Sequence, residues 1–252
     1  MVVTVSGAPL IAFVLASIRI VAWLVVVPPF STRAVPTLAK TLLAVGLALA
    51  ITPRLAERPA PAGSVELFVS ALQEAAIGAT LGFLTYLLFA AVQAAGDLVD
   101  LFGGFSLAAA FDPLSMNMNS VHGKLFSMLA TMLLFASNAH LLVIGGLLRT
   151  FESMPIGTMW QPGTVTAVVT TAFGVFFTAA VQIALPLIAV LFLADLGLAL
   201  LTRVAPQLNA ITIMFPAKMG LTMLLVGLSF AVLPDAMGRL VERLSEAMGA
   251  LS

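Results

Sequence analysis

The sequence predicts an all-α integral membrane protein made of helical hairpins with broken helices, and three observations carry that reading. Of 252 residues, 61% are hydrophobic and only 9% charged, with a mean hydropathy of +1.15, whereas about 25% of the residues of a soluble domain are charged. The apolar residues gather in runs on the scale of the roughly 20 helical residues that cross a bilayer core of about 30 Å. Several runs are unequal in length or carry an internal proline, which frees a backbone carbonyl that neighbouring helices must then satisfy. Eleven Lys and Arg balance eleven Asp and Glu, so no basic surface points to nucleic acid and no acidic tail to a basic partner. Membrane lipid and other proteins are the partners to expect. With no Cys, disulfides, thiolate metal sites and a cysteine nucleophile are excluded.

Taken in order, the first apolar run covers 10–27 between Pro9 and Pro28 and is just long enough to span. Nothing basic precedes it, so it lacks the n-region of a cleavable signal and is expected to stay in the mature protein. The second, 38–52, stops at Pro53 and reads as short for a span. The third, from 65 to about 93, is longer than a span needs, and 125–148 is of ordinary length. The stretch 164–201 reads as interrupted by Pro186 and Asp195, and 211–233 carries Pro216 and Lys218 near its start. If six spans put both ends on one side, that side collects Arg54, Arg58, Arg149, Arg239 and Arg243. The other collects Arg33, Lys40, Lys124 and Arg203. Such a balance gives no orientation under the positive-inside rule, so either some runs do not cross or partner proteins set the topology.

Between the third and fourth runs lies a more polar passage, about 97–124. It holds Asp97, Asp100, a Gly103-Gly104 pair, Phe105, Leu107, Phe111, an Asp112-Pro113 turn signal and the alternation Met116-Asn117-Met118-Asn119. A loop of that length suits either a solvated connector between hairpins or a folded insert that fills a passage inside an assembly.

Charges within the apolar runs are costly in hydrocarbon and should face a bundle interior, a partner or water. Arg19 sits mid-way along the first run and Glu74 opens the third, making an Arg19–Glu74 ion pair possible. Gly78 and Gly82 form a GxxxG, which lets two helix backbones approach closely. Asp195 and Arg203 are expected to orient the bend of the last hairpin. His122 and His140, the only histidines, lie on different segments with no second ligand at helical spacing, so neither a metal nor a cofactor is expected. No catalytic constellation or phosphate loop appears, so the chain reads as a non-enzyme. A transporter using Asp195 between helices broken at Pro186 and Pro216 would show matched halves, and none is found. An enzyme using Asp112, His122 and His140 lacks a supporting spacing. After Pro234 the tail, 235–252, places Met237, Leu240, Val241, Leu244, Met248 and Leu251 at helical spacing with Arg239, Glu242, Arg243 and Glu246 between them. It could lie on the membrane surface or against a partner.

The stretch 184–209, with Pro186, Asp195-Leu196, Arg203 and Ala205-Pro206-Gln207-Leu208-Asn209, followed by Met214-Phe215-Pro216-Ala217-Lys218, resembles the C-terminal signature of the FliR family of flagellar export-gate proteins. Supporting matches run through the chain in the family's order. They are Glu74 with Gly78 and Gly82, Gln93 with Gly96-Asp97, Phe111-Asp112-Pro113, Asn138-Ala139-His140, and Phe151 through Pro155-Ile156-Gly157. Injectisome counterparts share the Asp-Leu, Ala-Pro-Gln-Leu-Asn and Pro-x-Lys elements, while Pro155-Ile156-Gly157 and Met214-Phe215-Pro216 look more flagellar. Ala210-Ile211-Thr212 and the Ala-rich stretch before Asp112 depart from the family's pattern.

The resemblance implies one subunit of a helical, conical export gate in the bacterial inner membrane at the flagellar basal body. FliP, FliQ, FlhB and FlhA would be its partners and unfolded flagellar proteins its cargo. It also implies a FliP-like part at 1–160, a FliQ-like hairpin at 161–234, and a channel plug formed by the central loop, here Gly103, Gly104, Phe105, Leu107, Phe111, Asp112, Pro113, Met116, Asn117, Met118 and Asn119. Arg19, Glu74, Gly78, Gly82, Asp195, Arg203, Pro206, Gln207, Asn209, Pro216 and Lys218 would serve packing and assembly.

Overall fold

A computed structural model describes residues 7–32, 35–56, 63–106, 120–157, 162–205 and 210–249, and among them the secondary structure is helical with no strand. Helix α1 (Ala8–Val26) carries Pro9 in its first turn, where the missing N–H has no intrahelical partner to lose. It ends because Pro28 disfavours helical geometry at Val27, which is extended. A single turn, α2 (Pro28–Ser31), follows. Helix α3 (Thr37–Leu55) runs through Pro53 rather than stopping before it, and so reaches 19 residues and the length of a span. Proline removes only its own N–H from the ladder. The ladder resumes beyond it, where the Ala56 N–H donates to the Thr52 carbonyl at 2.9 Å.

Helix α4 (Ser64–Gly103) is 40 residues long, about 60 Å at 1.5 Å per residue. It continues past the expected end near 93 and takes in Asp97, Asp100 and Gly103, so the first part of the polar passage is helix rather than loop. Gly104, at φ +87°, ends it in the left-handed geometry that glycine adopts freely. Helix α5 (Val121–Ala136) begins three residues before the expected boundary at 124, because Ser120 caps it: the Gly123 N–H donates to Ser120 Oγ at 2.8 Å. The run read as one segment, 125–148, is broken at Asn138, whose φ of 58° is left-handed, and α6 (Ala139–Ser153) follows. Asparagine tolerates that conformation better than any apolar neighbour in the run.

Helix α7 (Pro162–Val204) passes through both Pro186 and Asp195 without a break, contrary to the interruption expected there. In 43 residues one lost backbone bond is a small fraction of the ladder. Helices α8 (Ala210–Ser229) and α9 (Leu233–Gly249) form a bent pair, as do α5 and α6. Among the described residues four helices are long and apolar enough to cross a bilayer, or up to six spans if each bent pair counts as one.

The chain forms two compact units. One combines Met1–Leu87, His140–Phe173 and Val241–Ser252, and the other Leu88–Ala139 with Gly174–Leu240. In the first, α3 turns Ala44, Ala48, Ile51 and Leu55 inward and packs on α1, while Leu38, Leu42 and Leu49 stay exposed along the opposite stripe. That outward apolar stripe fits a helix solvated by lipid or covered by protein. The amphipathic tail differs from expectation. The apolar face of α9, with Met237, Leu240, Val241, Leu244 and Met248, is buried against its own chain, so it is already covered without a membrane surface or partner. Leu251 lies outside the described residues.

Candidate functional site

Among the described residues two buried polar constellations stand out, one in each unit. In the first unit the guanidinium of Arg19 grips Glu74 with two donors, Nε to Oε2 at 2.5 Å and Nη2 to Oε1 at 3.0 Å, and both side chains are 0% exposed. The remaining donors close the last turn of α6: Nη1 donates to the Thr150 carbonyl at 3.2 Å and Nη2 to the Met154 carbonyl at 2.9 Å. The ring of Phe151 lies 4.1 Å beneath the cation. A buried ion pair offsets its desolvation only when the geometry is good and the leftover donors are used, and here both conditions hold.

The GxxxG explains how α1 comes close enough. A Cβ at Gly78 would collide with the Arg19 carbonyl and stand 2.9 Å from the Ala22 Cβ; one at Gly82 would stand 2.8 Å from the Val26 Cβ. The small face expected to serve packing and assembly thus packs on the chain's own first helix. Trp23 Nε1 donates to Thr85 Oγ1 at 3.3 Å across the same contact.

In the second unit the polar groups gather where α4 ends and α5 begins. Asp100 accepts from Ser120 Oγ at 2.6 Å, from the His122 backbone N–H at 3.1 Å, and from His122 Nδ1. Both Asp100 and His122 are buried. The backbones are nearly in contact at Gly96, where a Cβ would stand 2.5 Å from the His122 carbonyl oxygen, and a Cβ at Gly123 would overlap the side-chain carboxylate of Asp97. Phe105 sets its edge on the His122 ring with centroids 4.7 Å apart. On the far side of the α4 terminus, Gly103 abuts Thr222, and Gly104 lies beside Phe215 and Lys218. Lys218 Nζ donates to Asp195 Oδ2 at 2.7 Å, so Asp195 pairs with the next helix.

Of the residues singled out from sequence, Arg19 and Glu74 are brought together, as are Asp195 and Lys218, while Arg203 is exposed at the end of α7. Pro216 sits inside α8. Leu107, Phe111, Asp112, Pro113, Met116, Asn117, Met118 and Asn119 lie outside the described residues, as do Pro206, Gln207 and Asn209. The Asp100–His122 pair and Thr150 were not anticipated. Ser120, three residues ahead of Gly123 and just before an apolar run, carried a legible capping signal.

The sequence profile of the bacterial export proteins, family 1, matches residues 10–244. The chain belongs to this family. Among its members, the flagellar biosynthetic protein FliR of Escherichia coli K12 is 36% identical over 199 residues, covering 79% of this chain and 76% of that protein. FliR of Bacillus subtilis 168 is 29% identical over 225 residues, covering 88% and 87%. The Yop proteins translocation protein T of Yersinia pestis is 26% identical over 230 residues, covering 90% and 88%. The matched span of this export-family chain takes in both polar constellations, from Arg19 to Lys218.

Proposed function

We propose that the chain is a non-enzymatic subunit of the flagellar type III protein export gate in the bacterial inner membrane, at the flagellar basal body. The observation that carries this reading is its similarity to flagellar FliR proteins over most of their length. In this reading it assembles with FliP and FliQ into a conical helical complex beside FlhB and FlhA, and lines the path of unfolded flagellar proteins. Residues 1–160 act as a FliP-like part, 161–234 as a FliQ-like hairpin, and the insert about 104–119 as a plug. Exposed apolar side chains along α3 and α7, such as Leu38, Leu42, Phe177 and Leu193, offer surface for lipid and for protein neighbours alike.

The test is co-expression with FliP and FliQ, followed by purification in mild detergent and complementation of a strain lacking FliR. Co-purification together with restored motility is the expected result. A stable, monodisperse monomer that ignores both partners would sink the reading. The match to the Yop translocation protein keeps an injectisome role as the second reading. Rescue of an injectisome-deficient strain and not of a flagellar one would select it.

A further inference from the structure

We propose that the face where α4 crosses α5 is a docking surface for a helix of another gate subunit, one that brings a lysine or arginine to Asp97 and a carboxylate to Lys124. Gln93, Asp97 and Leu101 follow one another at four-residue spacing on α4, and all three are exposed. On α5 the exposed stripe runs through Val121, Lys124, Met128 and Met132. The two helices meet at Gly96, whose missing side chain admits the His122 carbonyl, and Gly123 leaves the room that the Asp97 carboxylate takes up. Asp97 is thereby seated beside the first turn of α5, where Lys124 also stands.

The two charges do not answer each other. Among the described residues Asp97 and Lys124 form no ion pair, either together or with another side chain. Asp100, one turn further along α4, is engaged by Ser120 and His122 instead. Only one of three surroundings suits such a face. Hydrocarbon would hold an unpaired carboxylate and an unpaired ammonium where each is costly. Water would solvate both charges but leave Leu101, Val121, Met128 and Met132 uncovered on the same face. A protein helix meets both demands, because its apolar side chains cover those four while its charges pair with Asp97 and Lys124. The flexible thioethers of Met128 and Met132 adapt readily to such a contact. Since the face carries one charge of each sign, the partner helix carries the reverse pair, and the charges fix its register. The inference rests on the reading of the chain as a gate subunit, which supplies the partner.

The experiment places the photo-crosslinking residue p-benzoylphenylalanine at position 128 of the full chain, co-expressed with FliP, FliQ and FlhB. Alongside it, co-purification of Asp97→Lys, Asp97→Glu and Lys124→Glu is measured against the unmodified chain. Irradiation should give an adduct with one of those subunits. Asp97→Lys should weaken co-purification at least about 30-fold, the effect of stranding a charge in an interface, whereas Asp97→Glu keeps the charge and should retain most of it. Replacing the basic residue nearest the adduct by Glu should then restore assembly of Asp97→Lys, which an internal structural role of Asp97 would not allow. If the unmodified chain co-purifies but the crosslinker captures no protein, or captures a second copy of this chain, the docking surface is overturned and the gate reading stands. Undiminished co-purification of Asp97→Lys and Lys124→Glu overturns it as well. Should the Asp97 variants fail to reach the membrane, Lys124→Glu and the adduct decide. An unmodified chain that co-purifies with none of the three subunits overturns both readings.

Discussion

Arg19 and Glu74, 55 positions apart in sequence, meet as a two-pronged ion pair with no exposure on either side chain, and the same guanidinium holds two carbonyls at the end of α6. Three segments of the first unit thus converge on one cation. Removing one partner leaves the other charge buried and unpaired, a loss of about 3–5 kcal/mol. Glu74→Ala or Arg19→Ala should accordingly yield protein that denatures at a much lower denaturant concentration in detergent. The double replacement Arg19→Met with Glu74→Leu removes both charges and should recover a large part of that loss. If the double variant is no better than the singles, the lost packing and carbonyl contacts outweigh the stranded charge.

The glycines provide a graded test of packing. Gly78→Ala must push α1 away, because its Cβ would meet the Arg19 backbone and not the end of a flexible side chain. A Cβ at Gly46 in α3 has nothing within 4 Å. Gly46→Ala should be neutral or stabilise by about 0.5–1 kcal/mol through reduced chain entropy. Thermal unfolding of the complex co-purified with FliP and FliQ measures both. Equal effects at the two positions would show that the α1–α4 contact is loose.

The Asp195–Lys218 bond is partly solvated, with the Asp195 side chain 40% exposed, so its contribution is about 1 kcal/mol or less. Asp195→Asn should leave the chain folded and shift its melting only slightly. The reversed pair, Asp195→Lys with Lys218→Asp, should restore the wild-type value. A collapse of the single variant would mean that Asp195 answers to more than Lys218.

The segment after α7 carries Pro206, Gln207 and Asn209. Proline at 206 disfavours helical geometry at Ala205, and the two amides can serve backbone groups freed at a bend. Pro206→Ala combined with Asn209→Leu should weaken co-purification with FliP and FliQ while leaving expression in the membrane intact. Unchanged co-purification would reduce the segment to a connector.

The all-α membrane class was legible from composition and run length alone, because hydrocarbon admits few backbones other than helices whose hydrogen bonds are internal. The internal charges were legible too: Arg19 and Glu74 stand out in apolar runs, and such groups must face a partner. What the sequence by itself did not determine was where helices end. Pro53 was read as a stop and Pro186 as an interruption, yet one missing N–H is too small a loss to halt a long apolar helix, whereas Asn138, with no breaker's reputation in a membrane run, makes the break. Nor did it determine which polar groups pair. Asp195 stands eight positions from Arg203 on one helix yet bonds Lys218, and Asp100 on α4 bonds His122 on α5. Helical periodicity reports neighbours three and four residues away on one helix. Pairs 22 or 23 positions apart exist only where two helices cross. Only the tertiary structure chose those crossings; where α4 meets α5 the missing side chain of Gly96 lets two backbones touch, as that of Gly78 does where α4 meets α1.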